Sequence, residues 1–138
     1  MSIVLLSNNT EHYHCMPLTF EYAKGLKMTR EFIMVPIFDN NWGKMNLSDN
    51  DLRELQNYLM ENPGMGDIIQ GTGGLIKLRW NLPDTGKRSG VRLLYIDFVH
   101  RETTILVNCY TKSEKDSISD KEKAMYKILV KEIGRELK

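Results

Sequence analysis

The sequence predicts a single α+β domain: an N-terminal strand and helical hairpin, then a curved antiparallel sheet, then a C-terminal helix. Three observations carry this expectation. Apolar residues recur at helical spacing in two segments, near residues 52–59 and 119–137. Between them lie three strand-like stretches, residues 75–81, 91–100 and 103–111, separated by short polar or glycine-bearing breaks. Consecutive strands with helices gathered at either end give segregated layers rather than alternating βαβ units. A chain of 138 residues is long enough for one good core and too short for two.

Taken in order, residues 1–27 show no clear period and mix Asn, Thr, His, Pro17 and Gly25. They read as an N-terminal extension, with the compact domain over residues 28–138; the alternative is an extra strand from residues 2–6 added at a sheet edge. Residues 28–39 read as the opening strand, ending near Pro36 because proline cannot donate to a ladder. A short helical turn over residues 39–45 leads to a helix that Ser48 caps, with Asp49 and Asp51 suiting the positive end of its dipole. Leu52, Leu55, Tyr58 and Leu59 make its buried stripe, and Asn62-Pro63-Gly64 ends it. Gly71-Thr-Gly-Gly74 reads as a flexible link into the first of the three strands. The turn His100-Arg-Glu102 is short enough to make the second and third strands antiparallel neighbours. The terminal helix is expected to bury Met125, Ile128, Leu129 and Ile133.

Composition excludes several classes of function. Apolar content of 41% and charged content of 27% fit an ordinary soluble protein. The longest apolar runs fall far short of a membrane span, and the first residues lack the basic start and apolar stretch of a secretory signal. Cys15 and Cys109 have no CxxC spacing and read as reduced cytoplasmic thiols. His12, His14 and Cys15 have no second ligand cluster, so no metal is expected. Gly71–Gly74 lacks both the GKS/T ending of a P-loop and the GxGxxG of a dinucleotide site. No Ser-His-Asp set, carboxylate pair or HExxH is present.

Charge is distributed unevenly. Residues 71–112 hold seven Lys and Arg against three acids, whereas residues 1–70 hold five against nine. The overall net charge of +1 thus hides a basic sheet beside an acidic N-terminal half, the footprint of a phosphate-bearing partner. Alternation places Lys77 and Arg79 on one face of their strand and Ile76, Leu78 and Trp80 on the other. Arg92 shares a face with Leu94 on the next strand, and Lys112 sits just past the third. Four cations from three strands are therefore expected to converge. The plainer alternative is a solvated basic face serving solubility or meeting an acidic partner.

Without a nearby histidine, an enzyme here must work with cations. One reaction suits them: cleavage of RNA by its own 2′-hydroxyl, which builds negative charge on a pentavalent phosphorus. Arginine offers that charge a bidentate fork and lysine a compact positive charge. A lysine among arginines is also more readily deprotonated and so able to serve as a base.

The combination of Leu52-Arg-Glu-Leu55 with Asn62-Pro63, Gly66-Asp-Ile-Ile-Gln-Gly-Thr-Gly-Gly74, Lys77, Arg79, Gly86-Lys-Arg88, Gly90, Arg92, Tyr95 and Tyr110-Thr-Lys-Ser-Glu114 resembles the RelE/HigB family of type II toxins. These are bacterial mRNA interferases that cut messages in the ribosomal A site. The resemblance spans about residues 30–132, and the glycine run with the Gly-Lys-Arg loop points to the HigB-like branch. It implies a RelE-like fold and a metal-independent endoribonuclease that needs no cofactor. In that reading Lys77 resembles the proposed general base, Arg79 and Arg92 match positions that bind the scissile phosphate, and Lys112 falls where a cation assists the leaving group. Lys87 and Arg88 would contact RNA backbone, and Tyr110 is the candidate for stacking on a base. The implied partners are a cognate antitoxin, usually of helix-turn-helix type in HigB-like systems, and the ribosome with its message, in the cytoplasm. Leu75 replaces a second lysine of RelE, and Ile76 stands where HigB-like members often carry arginine. Two rivals follow from the same resemblance: a ParE-like toxin that poisons gyrase, and a catalytically decayed RNA-binding remnant.

Overall fold

The computed structural model describes residues 14–21, 27–81, 90–111, 114–115 and 117–137, with side chains from Arg30 onward. In chain order the elements are β1 (His14–Glu21), β2 (Lys27–Met34), α1 (Pro36–Lys44), α2 (Asp49–Glu61), β3 (Asp67–Ile68), β4 (Ile76–Trp80), β5 (Val91–Phe98), β6 (Thr103–Thr111) and α3 (Asp120–Glu136). The strands form one sheet in the order β1-β2-β6-β5-β4-β3. This is the expected α+β, RelE-like arrangement. All neighbouring strands are antiparallel except β2 and β6, which run parallel. That parallel pair needs a long crossover, and everything between β2 and β6 supplies it.

β1 lies within the segment read as an extension, yet it pairs with β2 from His14↔Met34 to Glu21↔Lys27 and so covers that edge. Residues 2–6, offered as the alternative edge strand, lie outside the described residues, as does His12. Pro36 does more than end β2. It occupies the first turn of α1, where its missing N–H costs nothing, so the helix starts earlier than the turn expected at residue 39. Ser48 and Asp51 form a reciprocal capping box on α2, and Ser119 and Glu122 form a second on α3.

α1 and α2 cover one face of the sheet. Phe38, Trp42, Leu52, Leu55 and Leu59 are buried there with Leu78 and Leu93. Cys109 belongs to the same layer, its thiol 3.9 Å from the Phe38 carbonyl oxygen. Burial pushes that thiol up to about 12, and a thiolate is the reactive form. Alkylation at pH 8 followed by peptide mapping should therefore leave Cys109 unmodified in the folded protein and modify it after unfolding.

α3 covers the opposite face and does so with a different side than expected. Tyr126, Val130, Ile133 and Leu137 are buried, while Met125 and Ile128 are 58% and 65% exposed. The helix carries apolar residues on more than one face, so its own pattern does not fix its rotation. Contacts fix it instead: Asn108 Nδ2 donates to the Tyr126 hydroxyl at 2.9 Å, and Val130 packs over Gly73.

A charged pair ties β2 to β5 across β6. Arg30 Nη1 meets Asp97 Oδ1 at 2.5 Å, with both side chains 6% exposed, and Thr104 Oγ1 approaches the same oxygen at 3.5 Å. Burial holds the Asp97 carboxyl above its ordinary value, with Arg30 and the Thr104 hydroxyl pulling the other way.

Candidate functional site

β4 reads Ile76-Lys-Leu-Arg-Trp80, and its alternation resolves as expected. Ile76 and Leu78 are buried, Lys77 is half-buried and Arg79 is exposed. Trp80 is only half-buried, tilted against Tyr58 of α2 with ring centroids 5.1 Å apart. The register then assembles the site. Arg79 lies directly opposite Arg92, and Arg92 directly opposite Tyr110. Lys77 lies opposite Leu94, and Leu94 opposite Asn108. Directly opposed residues share a face with Cβ atoms about 4.5–5.5 Å apart. Lys77, Arg79, Arg92 and Tyr110 thus share one patch drawn from three strands.

A break in register at Leu94/Tyr95 leaves Val107 without a partner in the ladder, a bulge in β6. The bulge lets Asn108 and Tyr110 share the face of Arg92 while Leu106, opposite Tyr95, turns to the other. Asn108 is pinned from both sides, accepting from Asn41 Nδ2 at 2.6 Å and donating to Tyr126.

Like charges placed directly across a strand pair are destabilising. Arg92 is engaged within the protein, which eases its opposition to Arg79, and a phosphate diester has the charge and oxygen spacing to accept guanidinium forks from this face. Arg92 is the floor of the patch at 8% exposure, and Arg79 and Lys77 form its accessible rim. Neither Lys77 nor Arg79 makes an ion pair among the described residues.

Tyr110 is placed differently from an open stacking platform. It is 7% exposed, and the Lys115 ammonium sits 5.8 Å from its ring centroid. Burial raises its phenol above the ordinary value. Lys115 also pairs with Glu122, and this hydrogen bond is the main cause holding the Glu122 carboxyl below its usual range. A base stacked on Tyr110 would have to displace Lys115. Lys87, Arg88 and Lys112 lie outside the described residues.

The two departures from the family pattern have a structural account. Leu75 is fully buried, so a lysine there would carry its charge into the core. Ile76 points to the helix-covered face, so the cation missing at that position is not missing from the patch. The Gly-Thr-Gly-Gly segment is also more ordered than a flexible link. The Thr72 hydroxyl, fully buried, donates to the Ile69 carbonyl at 2.6 Å and accepts from Leu75 N–H at 3.1 Å, which fixes the approach to β4.

The turn after α2 clamps β4 at Lys77. Tyr95 Oη donates to the Met65 carbonyl at 2.6 Å, and Gly66, at φ +123°, presses on the Lys77 backbone. A Cβ at Gly66 would sit 2.6 Å from the Lys77 carbonyl oxygen, so Gly66→Ala forces β4 to shift. That variant should lose at least about 1 kcal/mol in chemical unfolding, from left-handed strain alone.

Sequence reasoning missed Asn108, Lys115, Glu122 and Tyr126. One signal pointed to Glu122: the Ser119-x-x-Glu122 spacing of a capping box. Among the described residues no group of three or more His, Cys, Asp or Glu side chains is placed to hold a metal ion. Likewise no helix among them is long and apolar enough to cross a membrane.

The strand order, the α1–α2 hairpin and the closing helix define a small α+β toxin fold. A family model described as the RelE toxin of the RelE/RelB toxin–antitoxin system matches residues 36–136. The match covers more than half of the chain, which therefore belongs to the RelE toxin family, and membership implies a cognate antitoxin as partner.

Proposed function

We propose that this toxin is a ribosome-dependent endoribonuclease of the HigB-like branch, acting in the cytoplasm on messenger RNA in the ribosomal A site. The observation that carries the reading is the register: Arg79 opposite Arg92, with Lys77 two residues along on the same face. The reaction is an in-line displacement. The 2′-oxygen attacks the adjacent phosphorus, the bond from phosphorus to the 5′-oxygen breaks, and the products are a 2′,3′-cyclic phosphate and a 5′-hydroxyl. Lys77 takes the proton from the 2′-hydroxyl. Arg79 and Arg92 hold the two non-bridging oxygens as charge builds on them. Lys112 stabilises the departing 5′-oxygen, which takes its proton from solvent water, and Lys87 and Arg88 hold flanking RNA backbone. Tyr110 joins the RNA contacts when Lys115 leaves its ring. Residues 28–138 carry the activity and residues 1–27 extend it. The antitoxin is of helix-turn-helix type.

The chemistry has a direct test. Purified toxin with programmed ribosomes should yield a 2′,3′-cyclic phosphate end, and a message carrying 2′-deoxyribose at the cut position should stay intact. Equal cutting of the 2′-deoxy message would exclude the mechanism.

A further inference from the structure

Beside the arginine pair, a cavity of about 200 Å³ opens between β4 and the start of α3, lined by Ile69, Lys77, Ser117, Ile118 and Lys123. Its two lysines come from elements far apart in sequence. Neither makes an ion pair among the described residues, whereas nearby Lys115 is engaged by Glu122 and by the Tyr110 ring. Two lysines lining one small space repel, a repulsion eased by Asp67, which lies opposite Lys77 in the ladder; Ile69 and Ile118 make the apolar part of the wall. An anion in the cavity turns the cost into attraction. The volume is below the roughly 300–1,000 Å³ of sites that enclose a drug-sized molecule, and the two lysines in its lining favour a phosphate group over a neutral base. The Ser117 hydroxyl adds a neutral donor.

The position of the cavity narrows the ligand further. Lys77 belongs both to this cavity and to the face that carries Arg79. Two residues along a strand separate their Cα atoms by about 7 Å, so a chain of phosphates laid over the Arg79–Arg92 pair reaches the cavity within about one nucleotide. We infer that Lys123, with Lys77 and Ser117, forms a second phosphate subsite that grips the RNA backbone next to the scissile linkage. Lys123 is thus a positioning residue, and the inference rests on the nuclease reading above. It acts on binding and alignment, whereas Arg79 and Arg92 act on the developing charge.

The test uses the full chain and a short single-stranded RNA with 2′-O-methyl riboses, which cannot be cut. Affinity is measured across a range of salt for wild type, Lys123→Gln, Lys123→Arg and Lys131→Gln, the last an exposed lysine farther along the same helix. Losing one phosphate contact should lower the log–log salt slope by about 0.7. The expected result is that drop in Lys123→Gln, together with several-fold weaker binding, recovery in Lys123→Arg and no change in Lys131→Gln. In ribosome-coupled cleavage Lys123→Gln should raise KM more than it lowers kcat. A Lys123→Gln protein with the wild-type slope overturns the subsite, as does an equal drop in Lys131→Gln, which would mark a diffuse field. Wild type that binds through Lys123 but never cuts RNA leaves the subsite standing and sinks the nuclease reading. Wild type that binds no RNA overturns the subsite and leaves the nuclease reading to be decided by cleavage on programmed ribosomes.

Discussion

Exchanging Arg79 for alanine should leave the fold untouched and lower RNA cleavage by about 10²–10³-fold, the loss typical when one preorganised donor to a developing oxyanion is removed. Arg79 is exposed and makes no ion pair among the described residues, so its removal opens no cavity and strands no partner. Unchanged stability with lost activity is a combination that a merely structural residue does not produce. Arg92 needs a gentler probe because it is almost fully buried. Arg92→Lys keeps the charge and most of the volume but loses the planar fork, so it should fold and still cut poorly. Thermal unfolding beside single-turnover cleavage on programmed ribosomes separates the two effects.

The second large effect concerns stability alone. Asp97→Ala should cost about 3–5 kcal/mol and lower Tm by about 10 °C or more, because it leaves Arg30 charged and buried without its carboxylate. Arg30→Met with Asp97→Leu should recover most of that loss. Burial holds the Asp97 carboxyl above its ordinary value even beside Arg30, so the pair does not fully offset its own desolvation. The double variant should also keep its nuclease activity, since Arg30 and Asp97 lie on the face away from the arginine pair. A double variant as unstable as Asp97→Ala would show that the pair contributes more than mutual neutralisation.

Much of the architecture was legible because local signals agreed with one another. Ser48 at a helix start, Asn62-Pro63-Gly64 at its end and strict alternation in Ile76-Lys-Leu-Arg-Trp80 each have one cheap backbone solution. Alternation also foretold the shared face of Lys77 and Arg79, and only the register revealed that Arg79 stands opposite Arg92. The bulge at Val107 leaves no mark in a run without polar alternation such as Thr103–Thr111, so the company that Arg92 keeps with Asn108 and Tyr110 stayed hidden. α3 was misread for a related reason. Met125, Ile128, Leu129 and Ile133 make as good a stripe as Tyr126, Val130, Ile133 and Leu137, and a tertiary hydrogen bond from Asn108 chose between them. Lys123 escaped notice because a lysine on a helix is ordinarily solvated. Its meaning comes from Lys77, 46 positions earlier in the chain, facing the same cavity.

A toxin that cuts messages through an arginine pair on β4 and β5 should arrest growth only while that pair is intact. Induced expression in a bacterial host, with primer extension on an abundant translated message, tests it most directly when wild type is set beside Arg79→Ala and Arg92→Lys. Wild type should give new 5′ ends inside the reading frame, and either variant at equal protein level should give almost none. Growth arrest by wild type without new ends, or arrest that both variants retain, would contradict that mechanism and redirect attention to a target such as gyrase.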